Sequence, residues 1–362
     1  MLFEEYQYFN YQFPEPQYLG AKHTLLPWLN QFIPKNIYTA VDAFAGSHSV
    51  GYLLKQQGCK VITNDFLNFN NQIGKALIEN NWNVVAVITA PDKPKGRGQK
   101  MIPSPVKQAA LKFDIPVLQP TNLKSEAFLE ELKSFHADIQ VVVAFRMLPE
   151  VVWDMPRKGT FNLHASLLPN YRGAAPINWA IINGEKETGI TTFFLKHEID
   201  TGSVIFQEKE TILPEDNIGT LYEKLMIKGS KLILKTIEAV AKDQVEPKPQ
   251  DENMAIHHAP KIYKETCEID WKQPAENIHN LVRGLSPYPA AWTTINDKNC
   301  KIFKTEVSEK NLNSLSIGEF ETDGKTNLTF QTGEGSLKIL ELQLEGKKRM
   351  SVEDFFRGNK LK

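Results

Sequence analysis

Two side chains that can act on a carbonyl group lie two residues apart at the end of an apolar stretch. The segment NLHASLLPNYRG (162–173) contains Asn162 and His164, and the residues before it favour a buried strand. Residues two apart on a strand point to the same side, so both side chains can face one cavity. An amide donor and an imidazole that exchanges a proton near neutral pH suit a reaction in which a carbonyl oxygen gains negative charge.

A third residue, Asp200, completes a candidate catalytic group. It precedes a Thr-Gly turn in HEIDTGSVI, and a carboxylate there could hold the imidazole and help to move protons. Each residue also has an ordinary interpretation. Asn-x-His is often a pair of polar groups satisfied at a strand end, and Asp before Thr-Gly is often a turn former. The residue types alone leave both interpretations open.

The sequence around these residues alternates between predicted strands and helices. Apolar runs at 83–89 and 139–145 predict strands covered on both faces, and helical spacing predicts a helix near 105–113. This rhythm is typical of a parallel sheet with helices on both sides. Ligands bind at the carboxyl ends of such strands, which is where the Asn-x-His pair falls.

A change in composition marks the end of this region. Residues 245–261 are rich in Pro and polar residues, as in a linker. Short strands with Gly, Asn and Asp turns follow and predict a small β-barrel or curved sheet. We predict four segments: an appendage at 1–59, a catalytic domain at 60–247, a linker at 248–265 and a C-terminal domain at 266–362.

Composition and charge limit the classes of function. The 362 residues carry a net charge of −1, so nucleic-acid or membrane contact would need a local cluster. The three cysteines, Cys59, Cys267 and Cys300, follow no metal spacing and predict reduced thiols, no metal and a cytoplasmic protein. No apolar run approaches the ~18 residues of a membrane span, and the acidic, aromatic start does not resemble a signal peptide.

A basic loop is the clearest local charge cluster. The segment PDKPKGRGQK contains Lys93, Lys95, Arg97 and Lys100 beside two glycines. The loop is either a solvated flexible segment or one that grips phosphate groups. In the second case, each phosphate contact would add salt dependence to binding.

Several of these segments together resemble the folate-dependent formyltransferases. FNLHASLLPNYRGAAPINWAI and HEIDTGSVIFQE carry the resemblance. The basic loop and the C-terminal IDWKQPAENIHNLVRGLSPYPAAW and LQLEGKKRM narrow it to the members that act on methionyl-tRNA. The resemblance runs from about residue 83 to the C-terminus. It implies an α/β fold, with a Rossmann-like parallel-sheet formyltransferase domain, a small OB-like C-terminal β-barrel and an N-terminal α/β appendage.

The resemblance also implies a reaction. The donor is 10-formyltetrahydrofolate, no metal takes part, and the acceptor is the α-amine of initiator methionyl-tRNA. Asn162 and His164 would hold the oxyanion, and Asp200 would hold His164 and help to move the proton. Tetrahydrofolate would lie against Ser166, Leu167, Leu168 and Pro169, with AFRMLP (144–149) lining the pterin pocket. The tRNA would contact Lys93, Lys95, Arg97, Lys100 and the GKKR cluster (346–349).

Two other functions fit parts of the same pattern. A formyltransferase acting on a sugar-nucleotide amine would use the same donor, but it would need neither the basic loop nor the C-terminal module. A non-catalytic fusion relic that binds folate or RNA is the other alternative. The intact catalytic residues argue against the relic, whereas the replaced N-terminus argues for it.

The N-terminus resembles a different family. Residues 18–80 resemble adenine-specific DNA methyltransferases through YLGAKHTLLPWL and DAFAGSHSVG, with Asp65 where the ribose-binding acid would lie. His48 replaces a loop glycine and the D-P-P-Y motif is absent, so we expect neither methyl transfer nor DNA binding. The GTP-x-F turn that opens the formyltransferase pattern is also missing. We expect residues 60–65 to replace the opening strand at the centre of the catalytic sheet.

Overall fold

The structure is a computed structural model that describes residues 39–42, 60–63, 82–95, 100–308, 312 and 314–361. The chain divides into two compact units, residues 1–68 and 69–362. In the first unit, β1 (Thr39–Asp42) pairs in parallel with β2 (Lys60–Thr63).

The place of β2 differs from the sequence expectation. Residues 60–65 are expected at the centre of the catalytic sheet, but in the described part of the chain β2 forms its ladder with β1. Both strands belong to the methyltransferase-like stretch, and pairing them satisfies backbone groups that each strand would otherwise leave open. The predicted boundary between residues 59 and 60 stays a prediction, as do the other domain boundaries.

The first part of the second unit alternates strands and helices, as the sequence predicts. Its elements are β3 (Val87–Ile88), β4 (Lys93–Lys95), β5 (Lys100–Ile102), α1 (Pro105–Lys112), β6 (Val117–Leu118), α2 (Glu126–Ser134), β7 (Gln140–Val143), α3 (Glu150–Trp153), β8 (Thr160–His164), β9 (Arg172–Gly173), α4 (Pro176–Ile182), β10 (Glu187–Phe194), β11 (Val204–Thr211) and α5 (Ile218–Ala241).

Four of these strands form the sheet that carries the candidate site, in the order β11-β10-β8-β7. β7 and β8 are parallel, as are β3 and β6 in a separate pair. β10 runs antiparallel to both β8 and β11. The segment 195–203 that joins β10 to β11 contains no helix, and such a short connection joins antiparallel neighbours more readily than parallel ones. The sheet is therefore parallel at one edge and antiparallel at the other.

The long helix α5 packs against this sheet and closes its core. Asn217 caps the helix, because its Oδ1 accepts hydrogen bonds from the amides of Gly219 (2.8 Å) and Thr220 (3.1 Å). The buried side chains come from strands and helices alike. They include Phe161, Ile190, Phe193, Leu221, Leu225 and Ile233.

The C-terminal part has the predicted antiparallel β structure. It comprises α6 (Ala275–Leu285), β13 (Ala291–Ile295), β14 (Lys298–Ser308), β15 (Phe320–Thr322), β16 (Leu328–Gln331), β17 (Ser336–Leu344), β18 (Met350–Ser351) and α7 (Val352–Gly358). The main order is β13-β14-β17-β16-β15, and β18 pairs with β17. Trp271 stacks on Phe330 with ring centroids 4.3 Å apart, and this pair lies within a core separate from that of the catalytic sheet.

The predicted linker is bound to the catalytic part of the chain. Val204 and Lys248 form an isolated antiparallel bridge. A short 3-10 helix, Glu252–Met254, follows, and then β12 (His258–Ala259) pairs in parallel with β9. The stretch therefore forms backbone ladders instead of a free connection.

The described ranges lack two kinds of feature. No helix there is both long and apolar enough to cross a bilayer. The same residues hold no cluster of three or more His, Cys, Asp or Glu side chains that could bind a metal ion.

Candidate active site

β8 places Asn162 and His164 on the same side of the sheet. The strand lies between β7 and β10, with Asn162 opposite Phe193 and His164 opposite Thr191. The alternating Phe161 and Leu163 are buried in the core beneath them. The hydrophobic alternation of TFNLH therefore fixes the direction of both polar side chains.

His164 is buried and held by a backbone carbonyl. Its Nε2 donates to the carbonyl of Tyr171 at 2.8 Å, because a carbonyl oxygen can only accept. Its Nδ1 lies 3.7 Å from Oδ2 of Asp200, which is longer than a hydrogen bond. The sequence assigned the holding role to Asp200, but the group that fixes the ring is the Tyr171 carbonyl. Nδ1 is left as the ring nitrogen that can meet a substrate.

Asp200 lies in the segment between β10 and β11 and is itself fixed by a backbone amide. Its Oδ2 accepts a hydrogen bond from the N–H of Gly173 at 3.0 Å. The side chain is only 11% exposed, and its backbone is left-handed, with φ of 58°. Asp tolerates this conformation better than most residues. The carboxylate therefore faces the imidazole in a largely dry setting.

Asn162 has a buried oxygen without a partner. Its Oδ1 is shielded from solvent and makes no hydrogen bond in the described structure. An unpaired buried amide oxygen is costly unless a ligand satisfies it. The Asn162 Oδ1 is thus a buried acceptor that a donor group on a ligand would satisfy.

The turn after β8 is fixed from within the protein. Ser166 is fully buried, and its Oγ donates to the carbonyl of Asn170 at 2.7 Å. The Thr191 hydroxyl donates to the Ser166 carbonyl at 2.6 Å and accepts from the Leu168 amide at 3.2 Å. Leu168 is buried, whereas Leu167 and Pro169 are partly exposed. The predicted contact of Ser166, Leu167, Leu168 and Pro169 with folate stays a prediction, and Leu167 and Pro169 are the pair with exposed surface to make it.

The basic loop is a hairpin with an anchored base. β4 and β5 pair antiparallel, with Lys95 opposite Lys100, and Arg97 lies outside the described residues. At the base, Lys107 Nζ donates to Asp92 (2.7 Å) and to Gln119 (2.6 Å). The Gln119 amide donates back to Asp92 at 2.9 Å. The sequence analysis missed this anchor, since its members are separated in sequence and follow no motif.

The segment after β7 contributes an exposed rim. Ala144 has a left-handed backbone, with φ of 47°. Arg146 donates to the carbonyls of Pro120 (2.6 Å) and Thr121 (3.1 Å), and Met147 is 71% exposed. The predicted pterin contact of residues 144–149 stays a prediction.

One hollow of about 350 Å³ lies away from the catalytic residues. It opens between the loop 118–122 and α2, and Asn162, His164 and Asp200 do not line it. Glu131 is the one titratable residue that lines this hollow, so the hollow lacks the acid–base groups that lie around β8.

Tyr171 and Gly173 are the site residues that the sequence analysis did not assign. The Tyr171 hydroxyl donates to Glu185 at 2.6 Å, and burial together with this carboxylate raises the pKa of Tyr171 well above its usual value. Gly173 has φ of 125°, and a Cβ there would lie 2.5 Å from the Ala259 carbonyl. A glycine after an Arg in a polar turn was the one available signal, and it is a weak one.

Comparisons with known families agree with the two resemblances. The family described as "Formyl transferase" matches residues 59–237, and "Formyl transferase, C-terminal domain" matches residues 261–360. A third family, "D12 class N6 adenine-specific DNA methyltransferase", matches residues 18–98. The match of the first family includes β2, which the structure pairs with β1.

Individual relatives cover most of the chain. It is 50% identical over 316 residues to methionyl-tRNA formyltransferase of Bacteroides thetaiotaomicron, with 85% of this chain and 98% of the relative covered. The corresponding protein of Phocaeicola vulgatus is 54% identical over 293 residues, with 78% and 90% covered.

Solved structures share the fold at lower identity. An N-formyltransferase from Helicobacter canadensis, solved with folinic acid and dTDP-3-aminofucose, aligns with a TM-score of 0.58 at 22% identity. The alignment covers 75% of this chain and 95% of that one. WlaRD, a sugar 3N-formyltransferase, aligns with a TM-score of 0.56 at 20% identity, over 78% of this chain and 96% of that one. The α/β formyltransferase fold is confirmed, and the chain belongs to the methionyl-tRNA formyltransferases.

Proposed function

We propose that this chain transfers the formyl group of 10-formyltetrahydrofolate to the α-amine of initiator methionyl-tRNA through Asn162, His164 and Asp200. The observation that carries the proposal is the 3.7 Å separation of His164 Nδ1 and Asp200 Oδ2 at the end of β8, with Asn162 two residues earlier on the same side of that strand. The relatives of about 50% identity that bear the name methionyl-tRNA formyltransferase support the choice of acceptor.

The reaction follows from the chemistry of these side chains. The neutral amine nitrogen forms a bond to the formyl carbon, and the formyl oxygen takes the electron pair. The Asn162 Nδ2 donates to that oxygen as its charge grows, and the His164 ring donates through Nδ1 when that nitrogen carries a proton, because the Nε2 hydrogen is held by the Tyr171 carbonyl. The bond from the formyl carbon to the folate nitrogen then breaks, and the carbonyl forms again. His164 and Asp200 move the proton from the attacking nitrogen to the departing one.

Burial assists this chemistry. His164 is 7% and Asp200 11% exposed, and electrostatic interactions are stronger where water is excluded. The Tyr171 carbonyl and the Gly173 amide hold the two groups before substrate arrives, so that little reorganisation is needed during the reaction.

The tRNA contacts are also part of the proposal. Lys93, Lys95, Arg97 and Lys100 would contact phosphate groups of the tRNA, with further contacts from GKKR (346–349). We expect no DNA contact from residues 18–80 and no membrane contact. The free, buried Cys267 and Cys300 suit the reducing cytoplasm, where we place the reaction.

Substitution of the two facing side chains tests the assignment. We expect His164→Ala and Asp200→Ala to lower kcat by about 10²- to 10⁴-fold, while the Kd for charged initiator tRNA changes less than threefold. Asp243→Ala is the matched control, because Asp243 is also an aspartate with a left-handed backbone (φ 53°). Loss of tRNA affinity in parallel with turnover in both variants would contradict the catalytic roles.

A further inference from the structure

The segment 248–259, which precedes the C-terminal part of the chain, contacts the Asp200 backbone through the Gln250 side chain. Gln250 Nε2 donates to the carbonyl of Asp200 at 2.7 Å and to that of Gly202 at 2.9 Å. Its Oε1 accepts from the guanidinium of Arg172, at 2.6 Å from Nη2 and 3.1 Å from Nε. A single amide therefore joins the Asp200 segment to the segment that follows β8.

The backbone that Gln250 holds is strained. Asp200 is in the left-handed region, with φ of 58°, and a residue other than glycine keeps this conformation only when its surroundings enforce it. The Gln250 amide binds the carbonyl of Asp200 and that of Gly202, two positions later. These two bonds fix the direction in which the Asp200 carboxylate points.

The other side of the site depends on the same segment. His257 accepts from the Tyr171 amide through its carbonyl at 2.7 Å, and its ring stacks on that of Tyr171 at 5.4 Å. Asn170 Oδ1 accepts from the amides of Ile256 (2.9 Å) and His257 (3.1 Å). The Tyr171 carbonyl that holds His164 is therefore itself placed by the segment 256–257.

Arg172 forms hydrogen bonds with two residues of the segment 248–259, Gln250 and Glu252. Its guanidinium donates to both carboxylate oxygens of Glu252, at 2.7 and 2.8 Å, besides its bonds to Gln250. A planar guanidinium held by two bonds to one carboxylate is geometrically specific. The Arg172 side chain is only 11% exposed, whereas Glu252 is 66% exposed, so the pair lies where the segment meets solvent.

We infer that Gln250 is a positioning residue for formyl transfer, and that the segment 250–259 aligns Asp200 and His164 as part of the catalytic centre. The inference rests on the proposed function for its kinetic readout. Misplacement of a catalytic group by about 1 Å can lower a rate about 10²-fold. Loss of the Gln250 amide therefore lowers kcat and leaves substrate binding nearly intact.

The test compares three variants with the full wild-type chain. Gln250→Leu removes all the amide contacts. Gln250→Glu keeps an acceptor for Arg172 but cannot donate to the Asp200 and Gly202 carbonyls. Gln331→Leu is the matched control, because Gln331 Nε2 likewise donates to two carbonyls, those of Thr332 (2.9 Å) and Gly335 (3.2 Å), but in the C-terminal sheet.

The expected result separates positioning from general destabilisation. Both Gln250 variants lower kcat by about ten- to a hundredfold, with KM for donor and for methionyl-tRNA within twofold of wild type, and Gln331→Leu retains its kcat. A kcat within twofold of wild type in either Gln250 variant overturns the inference. So does a rise in KM at constant kcat, or an equal loss of kcat in Gln331→Leu.

A second readout does not depend on turnover. The Gly173 amide donates to Asp200 Oδ2, so its hydrogen exchange reports whether the carboxylate stays in place. We expect the Gly173 amide to exchange at least tenfold faster in Gln250→Leu than in wild type, and unchanged in Gln331→Leu. Unchanged Gly173 exchange in Gln250→Leu overturns the inference. An inactive wild type with the expected exchange difference instead contradicts the proposed function alone.

Discussion

At the scale of single residues, Asn162 combines a buried position with the role in chemistry that we propose for it. Its buried Oδ1 has no hydrogen-bond partner in the described structure, whereas the neighbouring Thr191 hydroxyl is fully used. Leaving a polar atom unpaired costs free energy of folding. Such a cost is common where an active site trades stability for function.

A single substitution at Asn162 tests whether the side chain contributes to catalysis at a cost in stability. Asn162→Leu keeps a similar volume and removes both polar atoms, so the oxyanion loses one donor. We expect kcat to fall by about 10²- to 10³-fold, while the free energy of unfolding stays equal or rises by about 1 kcal/mol. Steady-state kinetics and urea unfolding measure the two effects.

The control is Asn359→Leu, which removes an amide that donates to the Phe355 carbonyl at 2.8 Å. This variant keeps its activity and loses stability. A large loss of stability in Asn162→Leu without loss of kcat would show that the amide is structural.

At the scale of elements, the loop before α5 contacts the first helix of the C-terminal part, α6. Asp216 is 3% exposed and accepts from Lys224 (2.6 Å), the Leu213 amide (2.8 Å) and Thr220 (2.9 Å). Arg283 on α6 donates to the carbonyls of the same loop, including that of Asp216 at 3.2 Å. The carboxylate thus shapes a loop that receives an arginine from the C-terminal part.

The pH dependence of stability follows from this contact set. Burial alone would raise the pKa of Asp216, but the hydrogen bonds from Lys224, Leu213 and Thr220 outweigh it and lower the pKa below its usual value. A lowered native pKa contributes stability above the unfolded pKa of about 3.9, and this stability is lost as pH falls through the native pKa.

We therefore expect Asp216→Ala to cost about 2 kcal/mol of unfolding free energy at pH 7. The difference from wild type shrinks as pH falls below about 4. Urea unfolding at several pH values measures both. Glu187→Ala, which removes an exposed pair with Lys209, serves as the control and costs less than about 0.5 kcal/mol. A difference at Asp216 that is constant down to pH 2 would contradict the charge-based explanation.

Elements with a strong local pattern are the ones that the sequence predicts. The apolar runs of β7 and β8, the helix near 105–113 and the turn-rich C-terminal strands all appear as expected. The segment 248–259 differs from its prediction, because its Pro and polar residues are typical of a linker and yet it forms ordered contacts. Its partners, such as Asp200 for Gln250, are distant in sequence, and a two-residue strand such as β12 has no periodicity to detect.

The candidate site also contains some groups that the sequence predicts and others that it does not. The types and spacing of Asn162, His164 and Asp200 indicate the chemistry from sequence. The sequence does not indicate the backbone groups that position them, which are the Tyr171 carbonyl and the Gly173 amide. Every residue supplies such groups, and only the fold determines which ones are used. The sequence therefore predicts a direct contact between Asp200 and His164, whereas in the structure the two side chains are 3.7 Å apart.

At the scale of the whole molecule, a net charge of −1 leaves tRNA binding to local clusters. The base of the β4–β5 hairpin is fixed by Asp92, Lys107 and Gln119. The strands that flank the basic loop therefore start from a fixed base, and we expect this local cluster to supply the attraction that the net charge does not.

Salt dependence tests this local charge. We expect the double substitution Lys95→Ala with Arg97→Ala to raise KM for methionyl-tRNA, and to reduce the slope of log KM against log salt by about 0.9 for each lost contact with duplex phosphate. Substituting the exposed Lys124 and Lys133 together leaves the slope unchanged. Equal slopes in the two double variants would contradict a phosphate contact at the hairpin.

The choice of acceptor tests the central claim most directly. The measurement is the initial rate of formyl transfer from labelled 10-formyltetrahydrofolate by the full chain, with charged initiator tRNA or with a nucleotide-linked amino sugar as acceptor. The account predicts label in the methionyl-tRNA, with kcat/KM at least 10³-fold above that for the sugar. Transfer to the sugar alone, or no transfer to either acceptor, would contradict it.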